Sequence, residues 1–138
     1  MPKTTFRLVS HCCKDLEKTR KFYEEVLDFK SVEGRQVTSD TTSHYLGLTP
    51  PLKLNLVFLK KDGLILELQH FESHGSTPRP ERPNNQAGLG FVSLQVDDLA
   101  ALLAMVPDYG GEIMDETDIG NAVFLKDPDG QLVGLVGS

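Results

Sequence analysis

Few side chains in this chain carry chemistry in a pattern, and Glu67 stands out among them. It lies in the apolar run Leu64–Phe71 and alternates with Ile65 and Gln69, while Leu64, Leu66 and Leu68 share the other face. A carboxylate so placed serves as a general base, accepts hydrogen bonds, or is simply a solvated strand residue. Phe91 alternates with Ser93 and Gln95, opposite Val92, Leu94 and Val96, and reads as a stacking platform or a plain core residue. Cys12 shares a face with Leu8 and Ser10. A thiol nucleophile needs a base in reach, none can be assigned, and a structural thiol is the better reading. Its neighbour Cys13 points to the opposite face, so the two do not bridge readily. The histidines His11, His44, His70 and His74 have no zinc-type spacing. His11 falls with Val9 and Cys13, His70 with Leu66 and Leu68, and the other two fall in loops. Tyr45 and Asn55 are further hydrogen-bonding candidates.

The elements that must position these residues come as a near-repeat. Phe58–Leu68 and Phe124–Leu135 both read apolar strand, Lys, Asp-Gly turn, apolar strand. Asp-Gly between apolar runs is a strong hairpin signal. Aligning Asp62-Gly63 with Asp129-Gly130 pairs Glu67 with Gly134. A second echo, LVSHCCKDL from Leu8 and FVSLQVDDL from Phe91, pairs Leu8 with Phe91. Each is a strand running into an Asp and a helix, so one unit is written twice.

Taken in order, residues 6–13 read as a strand buried on both faces. A helix capped by Asp15 runs to about Leu27, and Asp28 follows where a left-handed residue is wanted. Residues 29–37 form a strand, 38–44 a polar loop, and 45–48 a short strand. Leu52–Leu59 and Leu64–Phe71 pair as a hairpin. Residues 72–88, with three prolines, form a linker. Then come a strand from Leu89 to Val96 and a helix from Leu99 to Val106, capped by Asp98 and apolar enough to be well buried. A strand at 112–114, a polar loop at 115–120 and the final hairpin follow. The first module is 1–71 and the second 89–138.

At 138 residues the chain forms one domain or two small modules with a shared core. Its net charge of −6 disfavours nucleic acid as a partner. No apolar run approaches the length of a membrane span, and the first residues lack a signal-peptide core, which points to the cytoplasm.

The residues DLEKTRKFYEEVLDF, from Asp15 to Phe29, resemble the helix signature of the vicinal oxygen chelate superfamily. That group includes glyoxalase I, methylmalonyl-CoA epimerase, extradiol dioxygenases and bleomycin-resistance proteins. VDDL and FLKDPDGQLVGL resemble its second-module signatures. The resemblance implies an α+β fold of two βαβββ modules whose sheets form a cup around a ligand, and it leaves a homodimer open. In metal-dependent members the cup holds a divalent ion, with His or Gln, Glu, His and Glu as ligands. Carried onto this chain, those positions are Leu8, Glu67, Phe91 and Gly134. A divalent site needs several N, O or S donors at roughly 2.0–2.6 Å, and Glu67 alone is a ligand type. No tightly bound metal and no other cofactor are expected.

The cup residues the resemblance implies are Leu8, Ser10, Cys12, Tyr45, Asn55, Glu67, Gln69, Phe91, Ser93, Gln95 and Gly134. Three function classes follow, in this order. The first is a protein that binds or sequesters a small organic molecule. The second is a metal-independent isomerase, lyase or cyclase with Glu67 as base. The third is a metal-dependent lyase or dioxygenase with relocated ligands. An aromatic face beside the Glu67 carboxylate would suit a flat organic cation.

Overall fold

Each half of the sequence builds one four-stranded sheet, and both sheets have the same strand order. The computed structural model describes residues 1–138. The first sheet contains β1 (Val9–Cys12), β2 (Lys30–Val37), β3 (Leu54–Lys61) and β4 (Leu64–Phe71), ordered β1-β4-β3-β2. The second contains β5 (Val92–Val96), β6 (Glu112–Met114), β7 (Ala122–Lys126) and β8 (Leu132–Gly137), ordered β5-β8-β7-β6. In each, the first and last strands pair in parallel and the remaining pairs are antiparallel. The register repeats too. Ser10 faces Glu67 in one sheet, and Ser93 faces Gly134 in the other. The two sequence echoes align Ser10 with Ser93 and Glu67 with Gly134, and the two registers agree with that alignment.

Local signals account for most of the elements. The β3–β4 turn has positive φ at both central residues, 49° at Asp62 and 84° at Gly63. That is the geometry that matches the twist of a tight hairpin. Helix α1 (Leu16–Lys21) continues as a π-wound turn over Phe22–Val26 and stops at Asp28, whose φ is 58°. Asp98 caps helix α3 (Leu99–Met105) through a 3.0 Å bond from the Ala101 amide. No helix is long and apolar enough to cross a membrane.

Contacts group the chain into two compact units, residues 1–16 with 28–77, and residues 17–27 with 78–138. The first helix therefore belongs with the second sheet rather than with the first module of the sequence reading. Inside that second unit, the Tyr23 hydroxyl donates to the buried Asp127 at 2.8 Å, and the Thr19 hydroxyl donates to Asp129 at 2.6 Å. A Cβ on Gly111 would meet the Phe22 ring at 2.6 Å. Only a glycine lets the chain pass so close to that ring.

Four local expectations are corrected. Strand β1 is not buried on both faces, because Ser10 and Cys12 are exposed. Residues 38–44 are not a loop: Asp40–Tyr45 form helix α2, because Ser39 accepts from the Thr42 amide at 3.1 Å as an N-cap. Residues 45–48 are consequently the end of a helix and a turn, not a strand. Helix α3 has no fully buried residue. Its Ala100, Ala101 and Ala104 are exposed, and alanine favours helix without demanding burial.

Candidate functional site

The equivalent faces of the two sheets differ in what covers them. In the first unit, Glu67 shares its face with Ser10, Cys12, Ile65 and Gln69, and with Leu54, Leu56 and Phe58 on the neighbouring strand. Leu52, Leu54, Leu56 and Phe58 are buried together, and Leu8, Val37, Leu46, Leu48, Ile65 and Phe71 pack around them. The segment after α2 thus folds its leucines over this face, and Ser43, buried inside α2, donates to the Leu48 carbonyl at 3.2 Å. At the edge of this apolar floor stands a short polar strip. The Ser10 hydroxyl and the Gln69 amide each donate to Oε1 of Glu67 at 3.0 Å. Arg35 lies over the Phe58 ring, 5.2 Å from its centre.

In the second unit, Val123 and Leu125 of β7 and Val133 and Leu135 of β8 are buried on one face. Phe124, Lys126 and Leu132 fall on the other, in phase with Gly134. The Phe91 and Phe124 rings meet edge to face at 4.8 Å. A Cβ on Gly134 would lie 3.2 Å from Phe124 and 3.5 Å from Phe91. The ring pair therefore fills the space a ligating side chain would need at Gly134.

A cavity of about 600 Å³ opens on this face. Met114, Phe124, Lys126 and Leu132 line it from the sheet, Glu116 and Thr117 from the turn after β6, and Arg79 to Asn84 from the linker. Its size lies in the range of small-molecule sites. Thr117 is fixed, since its hydroxyl donates to the Met114 carbonyl and accepts from the Phe124 amide. The linker is tied down twice. Arg82 donates to the Leu89 carbonyl, and Lys126 donates to Glu81 at 2.6 Å. The Lys126 ammonium lowers the Glu81 pKa, and Glu81 raises that of Lys126.

The sequence candidates divide accordingly. Leu8, Ser10, Cys12, Glu67 and Gln69 share one face of the first sheet. Phe91, Ser93, Gln95 and Gly134 follow one alternation in the second. Asn55 is corrected. It sits on the face opposite Glu67, across from His70, where it accepts from Gln36 and donates to Glu72. Tyr45 ends α2 and is 85% exposed. Neither joins the Glu67 strip. The sequence reading missed Lys126, Phe124, Thr117 and the linker arginines. Alternation across the last hairpin would have found the first two. Nothing local marks the linker as a pocket wall.

The metal positions implied by the family resemblance do not fit a divalent ion. Leu8 is part of an apolar cluster, Phe91 and Gly134 are taken up by ring packing, and Glu67 alone offers a donor.

The family model of the Glyoxalase/Bleomycin resistance protein/Dioxygenase superfamily matches residues 7–135. Among solved structures, a glyoxalase family protein from Bacillus cereus superposes with a TM-score of 0.83 at 18% identity, covering 99% of this chain and 97% of that one. The trypanothione-dependent glyoxalase I of Leishmania major gives 0.68 at 24% identity, covering 96% and 87%. The fosfomycin resistance protein FosX of Listeria monocytogenes, solved with Mn(II) and sulfate, gives 0.65 at 16%, covering 99% and 94%. At these identities the likeness is one of fold. No curated protein sequence matches the chain.

Proposed function

This chain belongs to the Glyoxalase/Bleomycin resistance protein/Dioxygenase superfamily, and from that premise we propose that it binds a small organic molecule on its second sheet without a tightly held metal. One observation carries this reading. A pocket of about 600 Å³ with an apolar and aromatic floor, Phe124, Leu132 and Met114, is edged by a few polar groups. That combination is what small-molecule recognition requires. The residues at the inherited metal positions support the second half, since they supply one donor among four.

The test is native mass spectrometry of protein purified untagged from cells, with elemental analysis of the same sample. An organic molecule retained by the protein, with divalent metal well below stoichiometry, is the expected result. A stoichiometric divalent metal that chelators remove together with any bound ligand would overturn it.

One observation favours a second reading. Ser10 and Gln69 both donate to the same oxygen of Glu67, so the carboxylate is held in one orientation. On that reading Glu67 is the general base of a metal-independent isomerase, lyase or cyclase. Glu67→Gln separates the two. Lost turnover with retained binding supports the enzyme. Unchanged binding with no turnover in either form supports the binder.

A further inference from the structure

The pocket on the second sheet has a charge pattern that the apolar floor does not explain. Arg79, Arg82 and Lys126 line it, against Glu81 and Glu116. Lys126 rises from β7, two residues beyond Phe124, and its side chain is 21% exposed. Its partner is Glu81, a linker residue whose side chain is 87% exposed. An ammonium carried by a strand residue whose side chain is mostly covered is thus neutralised by a carboxylate on a segment without regular secondary structure. Glu112 and Glu116 are the other acidic groups that act on Lys126.

Exposed ion pairs of this kind contribute little to stability, because water screens them and two long side chains must be ordered. A carboxylate brought in by a ligand makes the same charge-assisted bond. It also brings an apolar body onto Phe124 and Leu132, which Glu81 cannot do. We propose that the ligand of this pocket is an organic anion, a carboxylate on an aromatic or other apolar body, and that its carboxylate takes Lys126 from Glu81. The proposal rests on the binding reading above and gives it a ligand class. It replaces the cationic ligand expected from Glu67, because the pocket wall carries Arg79, Arg82 and Lys126. On this account Glu81 is a built-in competitor. It holds the linker against the floor while the pocket is empty and leaves when the ligand's carboxylate arrives.

The experiment uses the full chain and two probes of the same shape, 2-naphthoate and its neutral amide, with affinities from calorimetry and the site from amide shifts of Thr117 and Phe124. Naphthoate is expected to bind at least roughly tenfold more tightly than the amide, the ratio a charged hydrogen bond supplies. Lys126→Met should bring naphthoate down to the level of the amide. Glu81→Gln should raise naphthoate affinity severalfold, and this variant removes nothing buried. If the amide shifts Thr117 and Phe124 as tightly as naphthoate does, the pocket binds ligands but the anion proposal is wrong. Unchanged naphthoate affinity in Glu81→Gln would overturn the competition. If neither probe moves these amides, the pocket reading fails and the proposal with it.

Discussion

The Glu67 face of the first sheet and the Phe124 face of the second occupy equivalent positions in the repeat, yet one is packed by its own chain and the other holds a cavity. The connections between the second and third strands of each sheet account for this. In the first sheet that connection runs from residue 38 to 53 and brings α2, Leu46, Leu48 and Leu52. In the second it runs from residue 115 to 121, is mostly polar, and offers Glu116 and Thr117 instead of leucines. The same strand order thus yields a hydrophobic core on one face and a site on the other. The difference lies in loop length and loop composition, not in the sheets. It also reverses the emphasis of a reading centred on Glu67, whose strip stands beside a filled face.

Truncation should break the comparison most strongly. Leu54→Ala, at a position 1% exposed inside the first cluster, is expected to cost about 2–5 kcal/mol through lost burial and an unfilled cavity. Leu132→Ala, on the wall of an existing cavity, should cost only about 1 kcal/mol, since a half-buried side chain loses less transfer energy. Urea unfolding of both variants checks this, and equal losses would mean that both faces are packed cores.

Equivalent register positions give a smaller contrast. Gly134→Ala should cost about 1–3 kcal/mol, because its Cβ crowds the Phe91–Phe124 pair. Glu67→Ala, its counterpart in the first sheet, should cost about 1 kcal/mol, the value of partly exposed hydrogen bonds. Phe124→Leu in the Gly134→Ala background should recover part of the loss in a thermal melt. No recovery would show that the rings are not the obstacle.

The smallest effect concerns pH and the linker. The Lys126 ammonium holds the Glu81 carboxyl below its ordinary value, so the contribution of Glu81 is present above the unfolded pKa and lost as pH falls through the lowered one. Lys126 is raised, so its contribution is full below its unfolded pKa and lost as pH rises through the folded one. Amide exchange of residues 79–84 should therefore speed up, relative to the intrinsic rate, only in acid below the usual carboxylate range and in base above the usual lysine range. Glu81→Gln should abolish the acid limb. If that limb persists in the variant, a group other than Glu81 titrates to loosen the linker.

Much of this architecture was legible in the residues alone. Alternation, two Asp-Gly turns, and Asp28 and Asp98 at helix ends are local features, set by backbone sterics within a few residues, so they place the strands and the repeat. The two echoes align Ser10 with Ser93 and Glu67 with Gly134, but the register that joins Ser10 to Glu67 and Ser93 to Gly134 is set by strand pairing. Helix α2 escaped because its polar run is set by a cap and by one buried serine, not by an apolar stripe. Helix α3 escaped in the other direction, since apolar composition does not say which residues find a partner. Tertiary structure alone decided that residues 17–27 go with the second sheet, that leucines from a loop fill the Glu67 face, and that a proline-rich linker walls a pocket and meets Lys126. Each depends on segments tens of residues apart coming together, where burial and charge pairing act across space and leave no periodic trace in either segment.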